Sequence, residues 1–140
     1  MAFKRVVVPI ELAEGNTRLL RTALALAEAS RAQVTLVHVI QRIARVPVAE
    51  LRRFYDRLER ASARRLERAA RPFLDKGLRV RTVVRLGNPP VEIVRLALRQ
   101  RADLLVVGSH RVTSARPRPG FGTTSYKVAL VCRCPILLVK

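Results

Sequence analysis

A glycine and a group of hydroxyl side chains stand where a strongly apolar segment gives way to the last helix of the sequence. Gly108 ends the segment Asp103–Gly108. The next helix opens with Gly122, Thr123, Thr124 and Ser125. The first turn of a helix offers unpaired backbone N–H groups and the positive end of the helix dipole, and glycine lets the backbone approach an anion closely. The turn Gly108–Ser125 is therefore a candidate phosphate site.

The same residues also have an ordinary structural interpretation. Ser and Thr are common N-cap residues, and glycines occur in loops that bind nothing. The chain contains neither a GxxxxGK[ST] loop nor a GxGxxG loop. This turn alone therefore does not identify a ligand.

The remaining reactive side chains do not form a catalytic or metal-binding set. His110 has no nearby nucleophile or orienting carboxylate in the sequence, so we interpret it as a loop histidine. His38 lies inside an apolar segment and is expected to be a hydrogen-bonded core residue. Cys132 and Cys134 do not form a CxxC pair and lack the further ligands of a zinc site, so they are expected to be reduced thiols.

The elements that position these residues alternate between strands and helices. The predicted strands are Lys4–Ile10, Gln33–Ile40, Leu78–Leu86, Asp103–Gly108 and Pro135–Val139. The predicted helices are one beginning near Thr17, then Val48–Phe73, Val91–Arg101 and Gly122–Val131. Aliphatic strands alternating with helices predict an α/β fold, with a parallel sheet covered by helices on both faces. Ligands bind such sheets at the carboxyl ends of the strands. Three turns leave that edge: Pro9–Gly15, Gly87–Pro90 and Gly108–Ser125.

The long helix Val48–Phe73 shows two different faces. Its inner face is predicted to consist of Leu51, Phe54, Leu58, Ser62, Leu66, Ala69 and Phe73. A second face carries Arg53, Arg57, Arg60, Arg64, Arg68 and Arg71. Such a basic face is usually solvated, but it also suits docking of an acidic partner or nucleic acid.

Composition limits the possible classes of protein. The 140 residues are predicted to form one domain, and 49% of them are apolar although only 4% are aromatic. The net charge of +18 favours nucleic acid, an anionic membrane surface or a phosphorylated small molecule without choosing among them. No secretory signal is recognised and no apolar run approaches 18 residues, so we expect a cytoplasmic protein that does not enter a membrane.

Five segments together resemble the universal stress protein family over essentially the whole chain: VVVPIELAEG, LVHVI, VRLGNPP, ADLLVVGSH and GTTSYKVALVCRCPILLV. Cys134-Pro135 matches the usual opening of the family's last strand. The resemblance implies a five-stranded parallel sheet of order 3-2-1-4-5, similar to the HUP or adenine nucleotide alpha hydrolase fold. It also implies a homodimer that pairs the last strands, here Pro135–Val139. An apolar edge strand would otherwise be prone to association.

The resemblance further implies that ATP or AMP, with Mg²⁺, binds across the carboxyl edge of the sheet. The corresponding residues in this sequence are Pro9, Ile10, Glu11, Val39, Gly108, His110, Arg111, Gly122, Thr123, Thr124 and Ser125. Glu11 stands where the family usually has Asp, and Arg111 replaces the second glycine of the G-x2-G-x9-G-[ST] motif. Ten residues instead of nine separate Arg111 from Gly122.

Two hypotheses follow from the altered motif. If Arg111 contacts phosphate, the protein is a dimeric stress-response module that binds adenine nucleotide. No metal-holding Asp or catalytic base is evident, so at most slow ATP hydrolysis is expected. If Arg111 fills the cradle, the protein is a nucleotide-free stress protein that acts on nucleic acid or another protein through its basic surface.

Overall fold

The computed structural model describes residues 2–11, 16–109 and 124–140. Its strands are β1 (Arg5–Pro9), β2 (Gln33–Gln41), β3 (Val80–Gly87), β4 (Leu104–Gly108) and β5 (Ile136–Val139). Its helices are α1 (Thr17–Ser30), α2 (Arg52–Asp75), α3 (Pro89–Arg99) and α4 (Thr124–Val131), with a 3₁₀ turn over Val48–Leu51 before α2.

The strands form one parallel sheet of order β3-β2-β1-β4-β5, which confirms the predicted α/β fold and strand order. The central strand β1 lies between β2 and β4, with Val7 paired to Thr35 on one side and to Leu105 on the other. Since all strands run in the same direction, their carboxyl ends meet at one edge of the sheet.

Each face of the sheet has its own hydrophobic core, because successive side chains of a strand point to opposite faces. Val6 and Val8 of β1 pack with α1 and α2, where Leu66 and Phe73 are completely buried. Val7 packs on the other face with α3 and α4, whose buried residues there include Ile93 and Val128. The helices therefore cover both faces, as predicted.

The long helix differs from its prediction at its amino end. The segment Val48–Leu51 is a 3₁₀ turn, and α2 continues two residues beyond Phe73. Phe54 and Leu58 were expected inside, but both are exposed, and Tyr55 is buried instead. The Tyr55 hydroxyl accepts a hydrogen bond from the backbone N–H of Ile43 at 3.0 Å, so this part of α2 packs against the loop after β2 rather than against the sheet.

Helix α3 begins at Pro89, two residues before its predicted start. The Asn88 side chain caps it by accepting a hydrogen bond from the backbone N–H of Val91 at 3.3 Å. Prolines occupy the first two helical positions, where no intrahelical partner for their N–H groups is required. In the described part of the chain, no helix is long and apolar enough to cross a membrane.

Candidate functional site at the carboxyl ends of the strands

A cavity of about 440 Å³ opens at the carboxyl edge of the sheet. Seven residues that the sequence selected line it together: Pro9, Ile10, Glu11, Val39, Gly108, Thr124 and Ser125. The other four selected residues, His110, Arg111, Gly122 and Thr123, lie outside the described residues. The cavity has the size of an ordinary small-molecule site.

The ends of β1 and β2 form one wall of the cavity. The backbone N–H of Ile10 donates to the carbonyl oxygen of Val37 at 2.7 Å. The carbonyl oxygen of Ile10 lies 2.8 Å from Nδ1 of His38. Because a carbonyl only accepts, Nδ1 carries the hydrogen of this bond. These two bonds fix the backbone of Ile10 beside the half-buried Val39.

His38 is a residue of this wall that sequence reasoning did not place there. It was expected to be a satisfied core histidine; it is partly buried and hydrogen-bonded, yet it also lines the cavity. Its position next to Val39, near the carboxyl end of β2, was the signal that could have identified it.

A hydrogen bond joins Glu11, which follows β1, to Asn16, which precedes α1. The Asn16 side-chain amide donates to the backbone carbonyl of Glu11, and both residues line the cavity. Asn16 directly precedes α1, but its side chain makes no capping hydrogen bond to the helix. Its amide instead contacts the backbone at Glu11, one of the residues that the resemblance implies for nucleotide binding.

The opposite wall joins β4, β5 and α4. The backbone N–H of Ser109 donates to the carbonyl oxygen of Val139 at 2.8 Å, which continues the pairing of β4 with β5 to the cavity rim. Helix α4 begins at Thr124, and the half-buried Thr124 and Ser125 face this space from its first turn. Val128, one turn later, is completely buried and anchors α4 on the sheet.

Two basic residues reach the cavity from places that the sequence reasoning did not consider. The Arg18 guanidinium, in the first turn of α1, donates to the backbone carbonyl of Lys140 at 2.9 Å, and both residues line the cavity. Arg18 follows the turn after β1, and Lys140 directly follows β5. Because parallel strands end at one edge of the sheet, the positions of Arg18 and Lys140 in the sequence could have indicated that both lie at the cavity.

The two cysteines lie away from this cavity. Cys132 and Cys134 are free thiols whose sulfur atoms are 3.2 Å apart. Burial, together with the hydrogen bond to Cys132, raises the pKa of the Cys134 thiol to about 12. At neutral pH the Cys134 thiol is therefore protonated and a poor nucleophile. Within residues 2–11, 16–109 and 124–140, no three His, Cys, Asp or Glu side chains form a group that could hold a metal ion.

Residues 2–140 match the universal stress protein family. The chain belongs to this family. A curated relative, universal stress protein YxiE of Bacillus subtilis (strain 168), is 25% identical over 148 residues, which cover 99% of each chain. The resemblance inferred from the sequence is thus confirmed over nearly the full length.

Solved structures show the same fold. The hypothetical protein MJ0577 superimposes with a TM-score of 0.85 at 24% identity, covering 100% of this chain and 97% of that one. A universal stress protein from Archaeoglobus fulgidus, solved in complex with dAMP, has a TM-score of 0.63 at 21% identity and full coverage of both chains. A universal stress protein solved in complex with cAMP has a TM-score of 0.69 at 22% identity, covering 100% of this chain and 98% of that one.

Proposed function

We propose that this universal stress protein is a stress-response module that binds an adenine nucleotide, AMP or ATP, in the cavity at the carboxyl edge of its sheet. The observation that carries the proposal is the convergence of Pro9, Glu11, Val39, Gly108 and the start of α4 on one cavity of about 440 Å³. Family members bound to dAMP and cAMP support the same class of ligand.

The chemistry of the cavity suits a nucleotide. The wall formed by Ile10 and Val39 is apolar and suits a base, while the Glu11 carboxylate suits the hydroxyls of a ribose. At the other wall, the hydroxyls of Thr124 and Ser125 and the first-turn N–H groups of α4 suit phosphate oxygens. Arg18 and Lys140 add positive charge at the rim. The protein would hold the ligand rather than transform it, with slow ATP hydrolysis at most.

Calorimetric titration of the purified protein with AMP and ATP, each with and without Mg²⁺, tests the proposal. Binding of either nucleotide below millimolar concentration is the expected result. No heat at millimolar nucleotide would overturn it and leave the nucleotide-free interaction protein as the remaining hypothesis. A comparison of ATP with and without Mg²⁺ determines whether the metal accompanies the ligand.

Two arginines of α1 offer a matched pair of variants. Arg18 lines the cavity, whereas Arg21 is exposed and does not. Arg18→Ala is expected to weaken ATP binding about tenfold, since a charge-assisted hydrogen bond contributes roughly 1.5–3 kcal/mol, and to weaken AMP binding less. Arg21→Ala is expected to leave both affinities unchanged. An equal effect of the two substitutions would contradict the placement of phosphate near Arg18.

Arg111, outside the described residues, decides between the two interpretations of the family motif. If it contacts phosphate, Arg111→Gly weakens ATP binding; if it fills the cradle, Arg111→Gly creates or strengthens binding. The same titration compares Arg111→Gly with the unchanged protein. Arg21→Ala serves as the control for loss of one positive charge.

We also propose that the protein forms a homodimer through β5 and is located in the cytoplasm. The outer strand β5 has no partner on its far side within the described chain, and its Leu137 and Leu138 are exposed. Pairing two copies of β5 would cover this apolar edge. Sedimentation velocity across a range of protein concentrations is expected to show a dimer, and a monomer at every concentration would contradict it.

A further inference from the structure

The outward face of α2 carries six exposed arginines that the nucleotide cavity does not use. We define the arginine stripe as Arg53, Arg57, Arg60, Arg64, Arg68 and Arg71. Successive helical residues turn by about 100°, so the stripe occupies an arc of roughly 80° and extends about 27 Å along the helix. The opposite side of α2 is buried through Ser62, Leu66 and Phe73. The stripe is therefore fully presented to the outside.

The six arginines of the stripe outnumber the acidic residues near it. Asp75, in the last turn of α2, falls within the arc four residues after Arg71. Asp56 and Glu67 lie beside the arc, and Glu59 lies farther from it. Each arginine of the stripe has another at three or four residues' distance, an arrangement in which like charges destabilise a helix. A bound polyanion would remove this repulsion.

A groove of about 920 Å³ runs beside the stripe, between α2 and the outer strand β3. Its rim consists of Arg64, Arg68, Arg71, Glu67 and Thr82. Its floor is formed by Ala70, Leu74 and Val80. Three arginines of the stripe thus border a concave surface, which lets an extended anionic chain contact the protein from two sides.

The chemistry of the stripe distinguishes among polyanions. A helix that binds a membrane surface inserts apolar side chains from the same face, but the arc of the stripe has none, since the exposed Phe54 and Leu58 lie outside it. A protein interface usually has a buried aromatic or aliphatic anchor, which the arc also lacks. A regular row of guanidinium groups matches the regular row of phosphates of a nucleic acid backbone.

We propose that the arginine stripe of α2 binds the phosphate backbone of double-stranded nucleic acid. An α-helix with its side chains is about 10–12 Å wide and fits the major groove, which is about 12 Å wide. The arginines on the two sides of the arc then reach phosphates on the two walls of the groove. This inference goes beyond nucleotide binding and does not depend on it, because no stripe residue lines the cavity.

Fluorescence anisotropy with a labelled DNA duplex of about 20 base pairs tests the inference, since about 27 Å of helix spans roughly eight base pairs. The test variant is Arg57→Glu/Arg60→Glu/Arg64→Glu. The control variant is Arg21→Glu/Arg42→Glu/Arg99→Glu, which replaces three exposed arginines elsewhere. Each substitution removes two charges, so both variants change the net charge from +18 to +12.

The test variant is expected to lose at least about tenfold in affinity at low salt and to reduce the slope of log K against log salt by about 2.7, for three lost phosphate contacts. The control variant is expected to keep the wild-type slope. A third variant, Arg57→Lys/Arg60→Lys/Arg64→Lys, keeps the charges and is expected to retain most of the affinity. Circular dichroism verifies that all variants are folded.

Three results would overturn the inference. The first is an absence of binding to the duplex by the wild-type chain at low salt. The second is an equal loss in the test and control variants, which would show that net charge alone is responsible. The third is tighter, stripe-dependent binding to phosphatidylserine vesicles than to the duplex at the same salt concentration. If calorimetry detects no heat of nucleotide binding, this inference is unaffected. The two proposals can therefore be refuted independently.

Discussion

The two outer strands of the sheet differ in length, charge and exposed apolar surface. Strand β3 has eight residues, and its exposed side chains are Arg81, Thr82 and Arg85. Strand β5 has four, and two of them, Leu137 and Leu138, are exposed leucines. An unpaired strand edge invites association unless charge or irregularity protects it. Strand β3 is protected by arginine, whereas β5 has no such protection, and for this reason the proposed dimer pairs β5 rather than β3.

The largest expected effect comes from charging the β5 edge. Leu138, which is 46% exposed, would be covered by a second copy of β5. Leu138→Lys places two ammonium groups in the dimer and removes two leucines, for each of which pairing contributes about half of the roughly 1.5–3 kcal/mol of full burial. The dimer dissociation constant is expected to rise on the order of a hundredfold or more, as measured by sedimentation equilibrium. Thr82→Lys on β3 is the control and should leave the constant unchanged; an equal response at both edges would contradict the comparison.

A smaller effect is expected from removing the charges of β3. Arg81→Val/Arg85→Val converts its exposed positions to β-branched apolar side chains, which favour strand pairing. The variant is expected to self-associate beyond the wild-type oligomer as its concentration rises, which static light scattering would detect. Arg21→Val/Arg99→Val makes the same change in charge on helix surfaces and should not do so. If both double variants scatter alike, general loss of charge rather than the β3 edge is responsible.

The smallest expected effect is on the free energy of unfolding, and it comes from Cys134, which lies just before β5. Its pKa is raised to about 12 in the folded chain, from an ordinary value of 9.0. As the pH rises from about 9 to 12, the unfolded chain loses this proton first, so the contribution of the thiol to the free energy of unfolding is lost over that range. Between pH 9 and pH 11, the free energy of unfolding measured in urea should therefore decrease less for Cys134→Ser than for the wild type. Identical decreases would show that the thiol ionises normally.

The sequence predicted the parallel sheet because the strands are aliphatic runs that alternate with helices and are buried between two layers of helices. The order of the strands came from the resemblance to the family. The prediction failed at Phe54 and Leu58, which lie beside the buried face of α2 rather than on it. Tyr55 lies on the same helical face as the buried Leu66 and Phe73. The helical periodicity of a sequence shows which residues share a face of a helix, but not what that face packs against.

For the candidate site, the family motif selected the residues at the ends of β1, β2 and β4 and at the start of α4. It did not select His38, Arg18 or Lys140, because their place in the cavity depends on how far β2, α1 and β5 extend at one shared edge. Such relations arise from three-dimensional register, which a linear motif does not contain.

Strand β5 belongs to two surfaces at once. Val139 lines the cavity, and its neighbour Leu138 is exposed at the outer edge. Any ligand that changes the position of β5 therefore changes the free energy of pairing two copies, and by thermodynamic reciprocity pairing changes the affinity for that ligand by the same factor. If a nucleotide binds in this cavity and two copies pair through β5, this short strand would link the concentration of the nucleotide to the fraction of chains that are assembled.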